Sequence, residues 1–271
     1  MNMLSEYLEL DPPLDPITEV ANTLLALKET DAITEGYSSV GSTNVALNGE
    51  RADVRGRETN LGRLAADSSV WGAQKYLNDN DIDAKIDIAL KNGGGIRATI
   101  EGPIITRIAI QKALAFDNKL AVVQVSVPQL LAIFENAVSR VPAADGRFPQ
   151  VAGMNIVFNP EAPGVEGETQ LSEVSRITDL SVGDTVLVEN GAVVGDLDLS
   201  FVIATNSFLL TGGDGYVAFQ EGVSIAETVS THIQPHHMDF SFGFAHFNSW
   251  MSILFLGEGC WGASDIGRLH L

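Results

Sequence analysis

From Ile86 to Arg97 the chain carries the feature that most restricts what it can fold into. Ile86, Ile88 and Leu90 alternate with Asp87 and Ala89, the period-two pattern of a half-buried strand. That strand runs directly into Asn92-Gly93-Gly94-Gly95-Ile96-Arg97. Three successive glycines admit backbone angles closed to other residues and let a ligand approach the main chain, with Gly94 at the centre. Asn92 suits a hydrogen bond to a base or sugar, and Arg97 suits a forked contact with phosphate or hydroxyl oxygens. A tight turn without a ligand is the other reading of the same residues. The triplet is neither a phosphate loop nor a dinucleotide fingerprint, because the GK[ST] ending and the GxGxxG spacing are both absent.

Around this segment, strand-like and helix-like stretches alternate. Asp11 to Pro16 is too proline-rich for continuous helix. Ile17 to Glu29 reads as an amphipathic helix, and Val40 to Leu47 as a strand ending at Asn48-Gly49. A helix should begin at Thr59 or Asn60, with Leu61, Leu64, Ala65, Ser68 and Trp71 facing inward. Thr106 can cap a short helix to Leu114. Ser126 and Gln129 form a capping-box pattern, with Pro128 in the first turn of a helix to about Arg140. Met154–Phe158 and Phe201–Thr205 read as strands, and Val186–Val194 as a hairpin around Asn190-Gly191. Ile225 to Ile233 fits a late helix. The mix predicts an α+β fold, a mixed sheet with packed helices. The expected division is a linker and interdomain-type helix over 1–34, a nucleotide-binding domain over 35–233, and an atypical apolar tail over 234–271.

Charge narrows the partners. The net charge of −19 argues against the phosphate backbone of nucleic acid and against anionic membranes, both of which need a basic surface. No run of about 18 uninterrupted apolar residues is present, so no membrane span is expected. Cys260 is the single cysteine, which precludes an intrachain disulfide and leaves the redox compartment open. Asp and Pro clusters occupy the first thirty residues, where a signal peptide would place a basic start and an apolar run.

Three further constellations have the makings of a site. Arg57-Glu58-Thr59-Asn60-Leu61-Gly62 puts an arginine just before a helix N-terminus, where free N–H groups and the helix dipole favour an anion. The alternative is a surface arginine paired with a carboxylate. Phe116 in Ala115-Phe116-Asp117-Asn118 and Phe208 in Asn206-Ser207-Phe208-Leu209 each sit at the end of an element among polar residues. Two such rings can sandwich a purine, at roughly 1–3 kcal/mol per stacked base; two core phenylalanines are the plainer reading. Gly212-Gly213-Asp214-Gly215-Tyr216 exposes a carboxylate on a tight loop, where it can accept from both hydroxyls of a ribose.

In this order and spacing, the four motifs resemble the C-terminal domain of 5′-nucleotidases and UDP-sugar hydrolases, over about residues 35 to 225. The resemblance implies a small-molecule nucleotide or nucleoside as ligand. Phe116 and Phe208 would enclose the base, Asn92 would contact it, Arg57 and Arg97 would reach ribose and phosphate oxygens, and Asp214 would hold the ribose hydroxyls. It also implies that hydrolysis belongs to a separate N-terminal domain with two divalent metals, the chain's natural partner. This sequence is expected to hold no cofactor and to be inactive alone. Its five histidines, His232, His236, His237, His246 and His270, all follow the nucleotide motifs, and a zinc site among them lacks evident carboxylate partners. The parent enzyme would act in the periplasm or outside the cell. Two alternatives stay open: a stand-alone nucleotide- or partner-binding module, and the substrate domain of a 2′,3′-cyclic phosphodiesterase or UDP-sugar hydrolase.

Overall fold

A computed structural model describes residues 36–227 and the backbone of one short strand, Gly267–Leu269. The expected helix over Ile17–Glu29 and all five histidines lie outside the described residues. In chain order the first elements are β1 (Ser39–Ser42), α1 (Arg51–Val54), α2 (Asn60–Asp79), β2 (Ile88–Asn92), β3 (Ile104–Thr106) and α3 (Arg107–Ala113). Then come β4 (Leu120–Ser126), α4 (Val127–Val138), β5 (Pro149–Ala152), β6 (Met154–Phe158), β7 (Ile177–Val182) and β8 (Thr185–Glu189). The last are β9 (Ala192–Val193), β10 (Ser200–Asn206), α5 (Ser207–Leu210), β11 (Val223–Glu227) and β12 (Gly267–Leu269).

The central sheet has the order β11-β4-β10-β2-β5. Its neighbours run antiparallel except β10 and β2, which are parallel. A second, antiparallel sheet has the order β12-β6-β7-β8-β9, and β1 pairs with β3 in a small third sheet. The fold is α+β.

Local chemistry sets the helix starts. Thr59 caps α2, its Oγ1 accepting from the Gly62 N–H at 3.0 Å. The Ser126 side chain caps α4, and the Gln129 Oε1 accepts in return from the Ser126 N–H at 2.8 Å, completing the capping box with Pro128 in the first turn. Thr106 caps α3. Asn190 and Gly191 both take positive φ, 51° and 77°, which a two-residue hairpin turn with the sheet's twist requires.

Packing departs from the sequence pattern in three places. Strand β2 is covered on both faces. Ile88 and Leu90 join the larger core with Phe134, Phe148 and Ile156, while Ala89 packs with Ala66, Ala73 and Leu77 of α2. Helix α2 therefore buries its alanine face (Ala65, Ala66, Ser69, Ala73, Leu77), and Trp71 turns outward at 36% exposure. Small side chains let a helix lie close against a sheet, and this rotates the contact stripe away from the bulky residue. Finally, the segment from Val223 to Glu227 is strand β11, hydrogen-bonded to β4, where the start of a late helix was expected. The rest of that expected helix lies outside the described residues.

Candidate functional site

Where β2 and β10 end, side by side and parallel, the motif residues come together. The Asn92 side chain is buried; its Nδ2 donates to Asp214 Oδ2 at 2.6 Å and its Oδ1 accepts from Asn206 Nδ2 at 3.3 Å. Asp214 sits in the left-handed region (φ 54°, ψ 23°) between Gly213 and Gly215. Its backbone oxygen accepts from Asn136 Nδ2 of α4 at 3.2 Å. A carboxylate on a strained turn, with one oxygen already accepting, is held in a fixed direction.

Gly93–Gly95 forms a single 3₁₀ turn, and none of the three has a positive φ. The triplet thus serves close approach, not unusual backbone angles. A Cβ on Gly93 would lie 1.9 Å from the Val54 carbonyl oxygen, and one on Gly94 would lie 3.1 Å from Gly146 Cα. The Gly94 N–H donates to the Gly146 oxygen at 2.8 Å, so this backbone is pinned across to the loop that faces Asp214.

Both phenylalanines are on the surface, 54% and 42% exposed for Phe116 and Phe208. Burial does not account for either, which sets aside the core reading. Phe208 rides on α5, whose N-cap is Asn206. Its ring lies against Gly213: a Cβ there would stand 2.5 Å from two ring carbons. The turns that carry the two rings are tied reciprocally. The Lys119 N–H donates to Ser207 Oγ at 3.0 Å, and the Ser207 N–H donates to the Lys119 carbonyl at 2.8 Å. The Arg97 guanidinium carbon sits 5.6 Å from the Phe116 ring centroid, a cation–π contact. Arg97 Nη1 also donates to the Gly94 oxygen at 3.3 Å.

Arg57 is the exception among the expected residues. Its Nη2 pairs with Asp53 Oδ2 at 2.7 Å and its Nε donates to Asp53 Oδ1 at 3.0 Å, with the side chain 67% exposed. That pairing raises the Arg57 guanidinium and lowers the Asp53 carboxyl from their ordinary values. The arginine is a surface partner of an acid one helical turn away, as the alternative reading of its motif had it.

A second arginine, two residues earlier, was passed over by the sequence reading. Arg55 has a buried Nε with no hydrogen-bond partner among the described residues. Burial, then the neighbouring charges of Arg51 and Arg97, pulls its guanidinium below its ordinary value, while Asp214 and Asp145 act the other way. Arg55 therefore feels the charges of the Asn92–Asp214 group, and an unmet donor there awaits an acceptor. The signal was present in Val54-Arg55-Gly56-Arg57, where two arginines stand two positions apart. Among the described residues no group of three or more His, Cys, Asp or Glu is gathered to hold a metal, and no helix is long and apolar enough to cross a membrane.

The chain is similar to known proteins over this same region. The family described as 5′-nucleotidase, C-terminal domain, matches residues 39–221. The trifunctional nucleotide phosphoesterase protein YfkN of Bacillus subtilis is 35% identical over 187 residues, which is 67% of this chain and 11% of that protein. Snake venom 5′-nucleotidase of Macrovipera lebetinus is 30% identical over 182 residues, 65% of this chain and 42% of the relative. The chain thus spans less than half the length of each. Among solved structures, the 5′-nucleotidase precursor of Thermus thermophilus superposes with a TM-score of 0.60 at 33% identity, over 78% of this chain and 37% of that one. Fold, motif order and similarity agree: the chain belongs to the 5′-nucleotidase C-terminal domain family.

Proposed function

We propose that this chain is the nucleotide-recognition domain of a 5′-nucleotidase-type phosphohydrolase. It binds the nucleoside part of a phosphate ester, and a metal-bearing domain beyond the region of similarity breaks the bond. One observation carries the reading: two exposed phenylalanines stand on turns locked together through Lys119 and Ser207, beside an Asn92–Asp214 pair 2.6 Å apart.

In this reading the base enters between Phe116 and Phe208, displacing water from two apolar faces. Asp214 still has acceptor capacity for the ribose hydroxyls after taking one hydrogen bond from Asn92. Arg97 and Arg55 supply the positive charge for phosphate oxygens, and Gly94 keeps the approach open along the main chain. Arg57, tied to Asp53, stays out. The relatives' names, nucleotide phosphoesterase and 5′-nucleotidase, support the same substrate class. Metal ions, in this reading, belong to the partner domain and supply the activated water there.

Calorimetric titration of the chain with adenosine and AMP tests the proposal. Wild type should bind both. Phe116→Ala and Phe208→Ala should each weaken adenosine by roughly 1–3 kcal/mol, the worth of one stacking face. Unchanged affinity in both variants would reject the sandwich.

A further inference from the structure

A cavity of about 340 Å³ lies against Phe116, and the contacts described so far leave it unused. It is bordered by Gln111 of α3, by Phe116, Asn118 and Lys119 on one aromatic-bearing turn, by Asn206 at the head of the other, and by Lys91. In a chain of net charge −19, two lysines and no carboxylate line this one space.

Lys91 is the informative wall. It precedes Asn92 in β2, where successive side chains leave on opposite faces. Its Cε passes 3.6 Å from the point a Cβ of Gly95 would occupy, and Asn92 Oδ1 lies 3.1 Å from that same point. The glycine triplet thus leaves room for both side chains. Lys91 is half-buried and has neither a hydrogen bond nor an ion pair from its amine among the described residues. Burial alone pulls that amine down to about 8. A partly desolvated ammonium with no protein partner among the described residues, on the wall of an open cavity, has room there for an acceptor.

We propose that Lys91 is a specificity-determining residue: the cavity takes the oxo-substituted edge of a nucleobase stacked on Phe116, whose carbonyl oxygen accepts from the Lys91 ammonium. This rests on the nucleoside reading above. An ammonium carries three donors and no acceptor. A base with an exocyclic carbonyl completes it, whereas an exocyclic amino group sets donor against donor. Discrimination of this kind comes as much from the rejected pairing as from the accepted one.

Matched nucleosides make the test. Inosine with adenosine, and uridine with cytidine, exchange an oxo group for an amino group on the same ring. Calorimetry on the wild-type chain should show the oxo member of each pair that binds tighter by about ten-fold, as a hydrogen bond to a charged group allows. In Lys91→Met the ratio should fall to near one while thermal unfolding shows the variant folded. Lys91→Gln, whose amide serves oxo and amino groups alike, makes the same comparison should the Met variant not fold. Equal affinities in wild type, or a preference that survives these substitutions, overturns the role of Lys91 and leaves the nucleoside site standing. Failure of all four nucleosides to bind wild type overturns the nucleoside reading, and this inference with it.

Discussion

Arg55 and Arg57 stand two positions apart at the end of α1, and their surroundings separate them. Arg57 is exposed and satisfied by Asp53; Arg55 keeps a buried Nε with no hydrogen-bond partner among the described residues and feels the charges of Arg97 and Asp214. An exposed ion pair of this kind contributes about 0–1 kcal/mol, so Arg57→Ala should leave AMP binding and stability nearly unchanged. Arg55→Ala should weaken AMP by about ten-fold or more, as loss of a charge-assisted contact does, and adenosine less. Calorimetry on the two variants decides it: a larger loss for Arg57→Ala would restore the assignment made from the motif. Lys91 gives a second residue-scale expectation. Its folded value of about 8 lies below the ordinary lysine value of 10.5, so between those values the unfolded chain binds more protons and stability rises with pH. The cost of the buried charge is fully present below about pH 8 and is relieved as pH climbs towards 10.5. Lys91→Met should therefore be more stable than wild type at pH 7, by at most on the order of 3 kcal/mol, with a correspondingly higher Tm, and the gap should narrow by about pH 10. A Tm difference that stays constant over that range would rule out a buried-charge origin.

Elements differ in how much of them can be read from neighbouring residues alone. The cap at Thr59, the box of Ser126 and Gln129, and the Asn190-Gly191 turn rest on bonds within a few positions, so sequence carries them whole. Strand β2 does not: its sheet partners β10 and β5 are far along the chain, and one of its faces is covered by Phe134, Phe148 and Ile156, which are equally distant in sequence. The same distance explains Trp71 and β11, since a hydrophobic pattern fits several faces until the sheet chooses one. The site shows the same division. The order of motifs placed Asn92, Arg97, Phe116, Phe208 and Asp214 in one region, but not the direction in which each arginine points, because that depends on Asp53 and on burial. Glycine substitutions separate element integrity from ligand binding. Gly93→Ala drives a methyl into the Val54 carbonyl at 1.9 Å, against backbone that cannot retreat, and should cost about 1–3 kcal/mol or more of stability. Gly213→Ala meets the Phe208 ring at 2.5 Å, but that ring is partly exposed and can swing away. It should lower nucleoside affinity with little change in Tm. A loss of stability from Gly213→Ala as large as that from Gly93→Ala would contradict the distinction.

At the scale of the whole molecule, α4 joins what the two large sheets do separately. Its buried face fills the shared core with Leu130, Ile133, Phe134 and Ala137. Two adjacent polar residues then point to different tasks. The fully buried Glu135 carboxylate accepts from the backbone N–H groups of Ser175 at 2.7 Å, Arg176 at 2.9 Å and Ile177 at 2.9 Å, holding the start of β7 and with it the second sheet. Asn136 donates to the Asp214 backbone at 3.2 Å and accepts from Arg147 Nη1 at 2.9 Å, holding the loop that carries Asp214. Removing the carboxylate leaves three backbone donors without an acceptor, each costing about 1–3 kcal/mol where water cannot reach. Glu135→Ala should therefore lower stability by several kcal/mol, roughly 10 °C or more in Tm for a domain of this size. Asn136→Ala should cost less stability and more nucleoside affinity, because what it frees is the direction of Asp214. Thermal unfolding and calorimetry on both variants, measured side by side, separate the roles. If Asn136→Ala unfolds the chain as readily as Glu135→Ala, the helix is a single structural brace and the link from core to site is lost.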